Sequence, residues 1–227
     1  MSDSKGEISR FYNLYFLVIA FLLIFVVLLG SADESLRTLI LQEDGIIENL
    51  SVIGYFACVF LMFRALGKDA EKYWDIIIVL FSFGLRELDF HSRFTKMGMT
   101  KIRFFTSSGI PVYQKIIAAF CGCLILYCIV RIVRKHFSSF AVSLKKLEPS
   151  AVCIATGLAF ILFSLALDGL SGKMLKLNIE IGPVISGFGD SAEEIFELGI
   201  PIMFALSLKP VFDKSKRAAQ ILSGNLP

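Results

Sequence analysis

Histidine is scarce in this sequence: only His91 and His136 occur in 227 residues. A zinc centre built from three imidazoles therefore cannot form within one chain. No Gly-x-Ser-x-Gly elbow, phosphate-binding P-loop or His-Glu-x-x-His pair is present, so the common signatures of serine hydrolases, nucleotide-binding proteins and zinc proteases are missing. The cysteines are not spaced for chemistry either. Cys58, Cys121, Cys123, Cys128 and Cys153 all fall in apolar runs. Cys121 and Cys123 stand two apart, on different sides of a helix, which is not a CxxC metal or redox pair. All five read as small buried hydrophobes. No basic cluster is large enough to make nucleic acid a partner, and the net charge is only +3.

What fills the sequence instead is apolar surface. Hydrophobic residues make up 56% of the chain, 22 residues are phenylalanine, and the mean hydropathy is +0.71. This composition fits an all-α, polytopic transmembrane helix bundle with little mass outside the lipid. Six spans are expected, near residues 11–30, 47–66, 73–89, 111–133, 150–168 and 191–208. The first run is too long for the core of a secretory signal and reads as a retained helix with signal-anchor behaviour. Residues 1–10 then form a short N-terminus, 11–208 the transmembrane domain, and 209–227 a polar, mobile tail. The stretch 36–41 is amphipathic and suits the membrane interface. The connector 169–189 is rich in glycine and predicts turns or a re-entrant loop rather than a helix.

Lys and Arg set the orientation of such a bundle. The N-terminus, the second and fourth connections and the tail together carry 14 Lys+Arg against 7 acids, and the opposite set carries 9 against 13. Both termini are therefore expected in the cytoplasm of a bacterial inner membrane. The basic segment 91–111 departs from this rule locally.

Several spans are short, and this draws ionisable groups into the membrane. A crossing helix needs roughly 20 residues. Counted back from Lys209, the last span must start near Asp190, and Glu193, Glu194 and Glu197 come with it. Glu197 would then lie about 18 Å from the Lys209 end. Ionisable groups at that depth are costly and by default mark function. The expected topology brings other acids to the same outer end: Glu48 at the start of the second span, Glu87 and Asp89 with His91 at the end of the third, and Asp168 at the end of the fifth. Asp44 and Glu48 are four apart, as are Glu193 and Glu197, and Glu87 and His91, so each pair shares a helix face. The pattern acid-x-Ile-(Ile/Phe)-Glu occurs at 44–48 and again at 193–197, which is compatible with an internal duplication.

Two chemistries suit this set. In the first, Asp89, His91, Asp190 and Glu193 hold a divalent cation, while Glu48, Glu87 and Glu197 act catalytically, one of them as general base on a metal-bound water. Arg86 is the internal counter-charge and Asp168 an outer member. Oxygen ligands suit Ca²⁺, Mg²⁺ or Mn²⁺, and His91 extends the choice to zinc. The substrate would be a lipid or its headgroup. In the second, the same acids bind a cation or protons in a sensor or transporter. No polar route towards the cytoplasmic end is visible in the spans, which favours a one-sided pocket over a channel. Bland alternatives stand beside both. Glu43, Asp44, Glu193 and Glu194 suit the positive end of a helix dipole, an Arg–Glu pair can serve architecture alone, and Ser51 is a packing serine more readily than a nucleophile. Membrane lipids are the expected partners, with a second copy or another membrane subunit as further possibilities.

The blocks Glu43-Asp44-Gly45-Ile46-Ile47-Glu48, Arg86-Glu87-Leu88-Asp89-Phe90-His91 and Glu193-Glu194-Ile195-Phe196-Glu197 resemble a group of small polytopic bacterial inner-membrane proteins. There an EDGxxE start, a central RE segment and a late EExxE recur. This resemblance implies a membrane-embedded acidic site and names no reaction. A more distant analogy is to the alkaline ceramidases and related membrane hydrolases, whose metal is held by histidines that this chain lacks.

Overall fold

The structure, a computed structural model, describes residues 2–42, 45–88 and 102–222, with side chains for 6–42, 45–88 and 104–213. Asp89 and His91, like Glu43 and Asp44, lie outside the described residues. Among the described residues the secondary structure is entirely helical. The elements are α1 (Ser2–Gly30), α2 (Glu34–Leu41), α3 (Ile46–Leu66), a 3-10 turn (Gly67–Tyr73), α4 (Trp74–Glu87), α5 (Ile102–Thr106), α6 (Val112–Lys145), α7 (Pro149–Leu167), α8 (Leu170–Lys176) and α9 (Pro183–Leu222).

Five stretches among the described residues are long and apolar enough to cross a membrane: Gly6–Gly30, Glu34–Glu87, Val112–Lys145, Pro149–Leu167 and Pro183–Asp213. The second of them folds back on itself. Gly67, with φ of 53°, ends α3 in a conformation that glycine adopts without steric cost. The 3-10 turn then reverses the chain, and α4 returns along α3 so that the Tyr55 and Phe83 rings meet edge to face. α4 has only 14 residues, about 21 Å of helix, against a hydrocarbon layer of about 30 Å.

Helices run further than hydropathy alone predicts. α1 extends back to Ser2 and α6 forward to Lys145, because backbone hydrogen bonding does not stop where the side chains become polar. α9 has the largest extension, from Pro183 to Leu222 with Pro201 and Pro210 inside it. The glycine-rich connector is partly helical. Gly169 takes a left-handed conformation (φ 59°) that turns the chain out of α7 into α8, and α9 is already helical through Gly187 and Gly189.

α9 is the central helix, packed on α7, α3 and α1. Its Ile195, Leu198 and Met203 join Leu22 of α1, Tyr55 and Met62 of α3, Leu80 of α4 and Phe160 of α7 in one apolar core. The α7–α9 approach depends on missing side chains. A Cβ on Gly199 would come within 2.7 Å of the Phe160 ring, and one on Gly157 within 2.9 Å of Phe204. α6 stands to one side, packed chiefly on α4.

Polar contacts pin the helices at the end that carries Lys209. The Ser150 hydroxyl donates to the Ser207 carbonyl (2.8 Å), and Tyr15 shares a 2.8 Å hydrogen bond with Thr156. At the same end α4 and α6 are clamped through Asp75, whose side chain is fully buried. Its Oδ1 accepts from the Ile76 backbone N–H (3.0 Å). Its Oδ2 is 3.2 Å from Arg131 Nε without an aligned hydrogen bond, so that contact is ionic. The Arg131 guanidinium lies 4.7 Å from the Trp74 ring centroid, a cation–π contact that adds to the pair.

Candidate carboxylate site

The opposite end of the bundle gathers acids from four helices. Glu48 opens α3, and Glu87 closes α4. Asp168 caps the C-terminus of α7. Asp190, Glu193, Glu194 and Glu197 lie on α9. The antiparallel return of α4 along α3 puts Glu87 near the start of α3. The packing of α9 between α3 and α7 does the rest.

Glu197 is the best-defined member. Its Oε1 accepts from Arg86 Nη2 (3.1 Å) and from the Ser164 hydroxyl (2.8 Å), so one oxygen ties α4, α7 and α9 together. Arg86 also faces Glu87, with Nε 3.8 Å from Oε1. The Glu87 side chain is only 8% exposed, whereas that of Arg86 is 62% exposed at the surface of the bundle. The guanidinium thus reaches in from the rim over two carboxylates. The Arg86 bond carries charge on both partners, which strengthens it, although at 3.1 Å it is longer than the Ser164 bond.

Glu194 occupies the middle of the cluster. Glu197, Glu193, Glu48 and Glu87 all act on it electrostatically. Glu193 in turn feels Asp168, Glu197, Asp190 and the cation of Lys173. Glu48, Glu193, Glu194 and Glu197 are half-buried, while Asp168 and Asp190 are exposed. The structure therefore brings Glu48, Glu87, Glu193 and Glu197 into one neighbourhood, with Arg86 at its side and Asp168 and Asp190 on its outer rim. Asp89 and His91, two of the four expected metal ligands, are outside the described residues. Among the described residues no three His, Cys, Asp or Glu side chains come together closely enough to hold a metal ion.

Three members of the neighbourhood are not among the expected site residues. Ser164 is 4% exposed and donates to Glu197. Tyr55 is 2% exposed and lies within electrostatic range of Glu87, Glu197 and Arg86. Glu194, which reads in sequence as a helix-capping charge, is central instead. Only register points to the first two: Tyr55 stands two helical turns after Glu48, and Ser164 one turn before Asp168. Ser51, three residues after Glu48, is buried and donates to the Ile47 carbonyl (3.1 Å), the ordinary state of a packing serine.

The backbone contributes as well. Pro201 stands four residues after Glu197 and has no N–H to give to the Glu197 carbonyl, so the helical ladder is interrupted at the level of the carboxylates. The Pro201 carbonyl accepts from the Cys58 thiol at 3.1 Å, which secures the interrupted turn against α3.

No protein-family model matches the sequence, and neither the curated proteins nor the solved structures contain a match to it.

Proposed function

We propose that this chain is a six-crossing membrane protein whose carboxylate cluster takes up protons from one side, in exchange with loosely held cations that need no fixed ligand set. The observation that carries this reading is the gathering of Glu48 at the start of α3, Glu87 at the end of α4, and Glu193, Glu194 and Glu197 on α9 at one end of the bundle, where Arg86 is the cation that faces Glu87 and Glu197. Like charges gathered in a poorly polarisable medium repel one another. A cluster of this kind holds its charges only when cations or protons enter it. Arg86 already faces Glu87 and Glu197. Pro201 leaves the Glu197 carbonyl without its helical donor beside the cluster.

Both termini lie in the cytoplasm, the cluster faces the exterior, and α4 makes the sixth crossing together with its polar flanks. The Lys and Arg asymmetry supports this orientation, as does the position of the carboxylates at the end opposite Lys209. A bacterial inner membrane is the setting that fits the sequence resemblance. A metal-dependent lipid hydrolase on the same residues is less well supported: the described acids do not converge as a ligand set, and the hydroxyls of Ser51 and Ser164 are committed to hydrogen bonds.

Infrared difference spectroscopy of the purified protein tests the proposal. Adding Na⁺, K⁺ or Ca²⁺ at constant pH should convert protonated carboxyl signal into carboxylate signal, with the effective cation affinity falling as the medium is acidified. Glu194→Gln and Glu197→Gln should each reduce that conversion. A spectrum indifferent to all three cations and to pH across the neutral range would remove the reading. Metal content that follows Glu48→Gln, Glu87→Gln and Glu197→Gln would favour the hydrolase.

A further inference from the structure

A second feature begins one turn beyond Glu197, at Pro201, and runs to the end of the bundle that carries Lys209. α1, α3 and α9 leave between them an open groove of about 360 Å³. Leu14 and Val18 of α1 form one wall, Gly54 and Ala57 of α3 the floor, and Ala205 with its α9 neighbours the other wall. Its floor is made of small residues, and at Gly54 the α3 backbone lies directly against α9, since a Cβ there would stand 3.0 Å from Pro201. Its α9 wall runs from Pro201 to Lys209, about 12 Å of helix. That nearly matches the depth of one leaflet, about 15 Å of a hydrocarbon layer of about 30 Å.

The mouth is basic on all three helices. Lys209 lines the groove itself. Arg10 stands one turn before Leu14 on the Leu14–Val18 face of α1, and Arg64 stands two turns after Ala57 on α3. Both arginines are exposed. Lys209 Nζ donates to Asp213 Oδ2 (3.0 Å) at a site about half exposed, and an ammonium has three donors, so two remain for another acceptor. Glu7, one turn before Arg10 on α1, and Asp213 on α9 are the acids at the same end, so three cations stand against two carboxylates. The excess of positive charge at the headgroup end of an apolar slot about one leaflet deep is complementary to an anionic amphiphile.

We infer that this groove is a binding site for an anionic phospholipid, with an acyl chain lying between α1, α3 and α9 and the phosphate held by Arg10, Arg64 and Lys209. The site is independent of the carboxylate cluster. It would bind lipid of the leaflet on the Lys209 side, and it couples the lipid to α9, the helix that also carries Glu197.

The test uses the full chain in nanodiscs of phosphatidylcholine with a minor share of phosphatidylglycerol, ejected into a native mass spectrometer to identify retained lipid. The wild type should retain phosphatidylglycerol in preference to phosphatidylcholine. Arg10→Gln, Arg64→Gln and Lys209→Gln should each weaken that preference roughly fivefold, the expected effect of one basic group at an anionic lipid surface. Ala57→Phe, which fills the groove and keeps the charges, should lower retention of both lipids. Val18→Trp fills it from the α1 side, and is the variant to use should Ala57→Phe disturb folding as judged by thermal melting. Equal retention of the two lipids by the wild type overturns the proposal. So does retention that survives both filled-groove variants in a folded protein, since the lipid would then be held by surface charge alone.

Discussion

Ser164 and Arg86 donate to the same oxygen of Glu197, and the two contacts differ in what surrounds them. The serine is nearly inaccessible. Its hydroxyl bonds an acceptor that carries charge, a contact of about 1.5–3 kcal/mol. Ser164→Ala should therefore destabilise the protein by about that amount, read by denaturation in detergent, while leaving the helix content unchanged. Ser164→Thr keeps the hydroxyl and should retain most of the bond. A full loss in both variants would mean that packing, not the bond, sets the cost. None of this is visible in sequence, because a lone serine in an apolar run has no pattern. The acids of 193–197 are visible, because a charge inside a hydrophobic run contradicts its surroundings. Register alone does not say which of them sits at the centre, and Glu194 emerges as central only once α3, α4 and α9 are packed together.

At the scale of helices, two contacts decide how closely the elements approach. Gly199 lets α7 lie directly on α9. Gly199→Ala should cost about 1–3 kcal/mol through overpacking against Phe160. Phe160→Leu in the same chain should recover part of that loss, so that a double-mutant cycle shows coupling; strictly additive effects would refute the contact. The α4–α6 clamp behaves differently, because its weak point is a buried charge. Arg131→Met leaves the fully buried Asp75 without its cation and should cost about 3–5 kcal/mol. Asp75→Asn in the Arg131→Met background should restore most of it. The apolar runs are readable as helices because sustained hydropathy over that length has few other solutions. Their ends are less readable. α6 and α9 continue well past their apolar cores, since an exposed polar helix turn meets no penalty that a hydropathy count would register.

Across the whole molecule, sidedness is open to direct measurement. In a chain with its native cysteines replaced, Lys146→Cys and Asn178→Cys flank α7, one of the apolar stretches. Asn178→Cys should react with an impermeant maleimide added to intact cells, and Lys146→Cys only after permeabilisation. Reaction of both from the same side would remove the crossing between them and with it the six-span arrangement. The five apolar stretches of the structure and the entirely helical described backbone accord with the expected class of fold. The short α4, with 14 residues, is where hydropathy and geometry diverge.

Composition and the order of apolar runs were enough to determine that this chain folds into helices long and apolar enough to cross a membrane, and to mark the acids that interrupt its last apolar run. The cause is energetic: lipid offers the backbone no hydrogen bonds, so a long apolar run has to satisfy its own peptide groups as a helix. Only the tertiary structure decided which acids become neighbours, that Ser164 and Tyr55 stand among them, and that α1, α3 and α9 leave a groove under basic residues. Those relations join positions more than a hundred residues apart, such as Arg86 and Glu197. They arise from the way one helix packs against another, which the periodicity of a single segment does not contain.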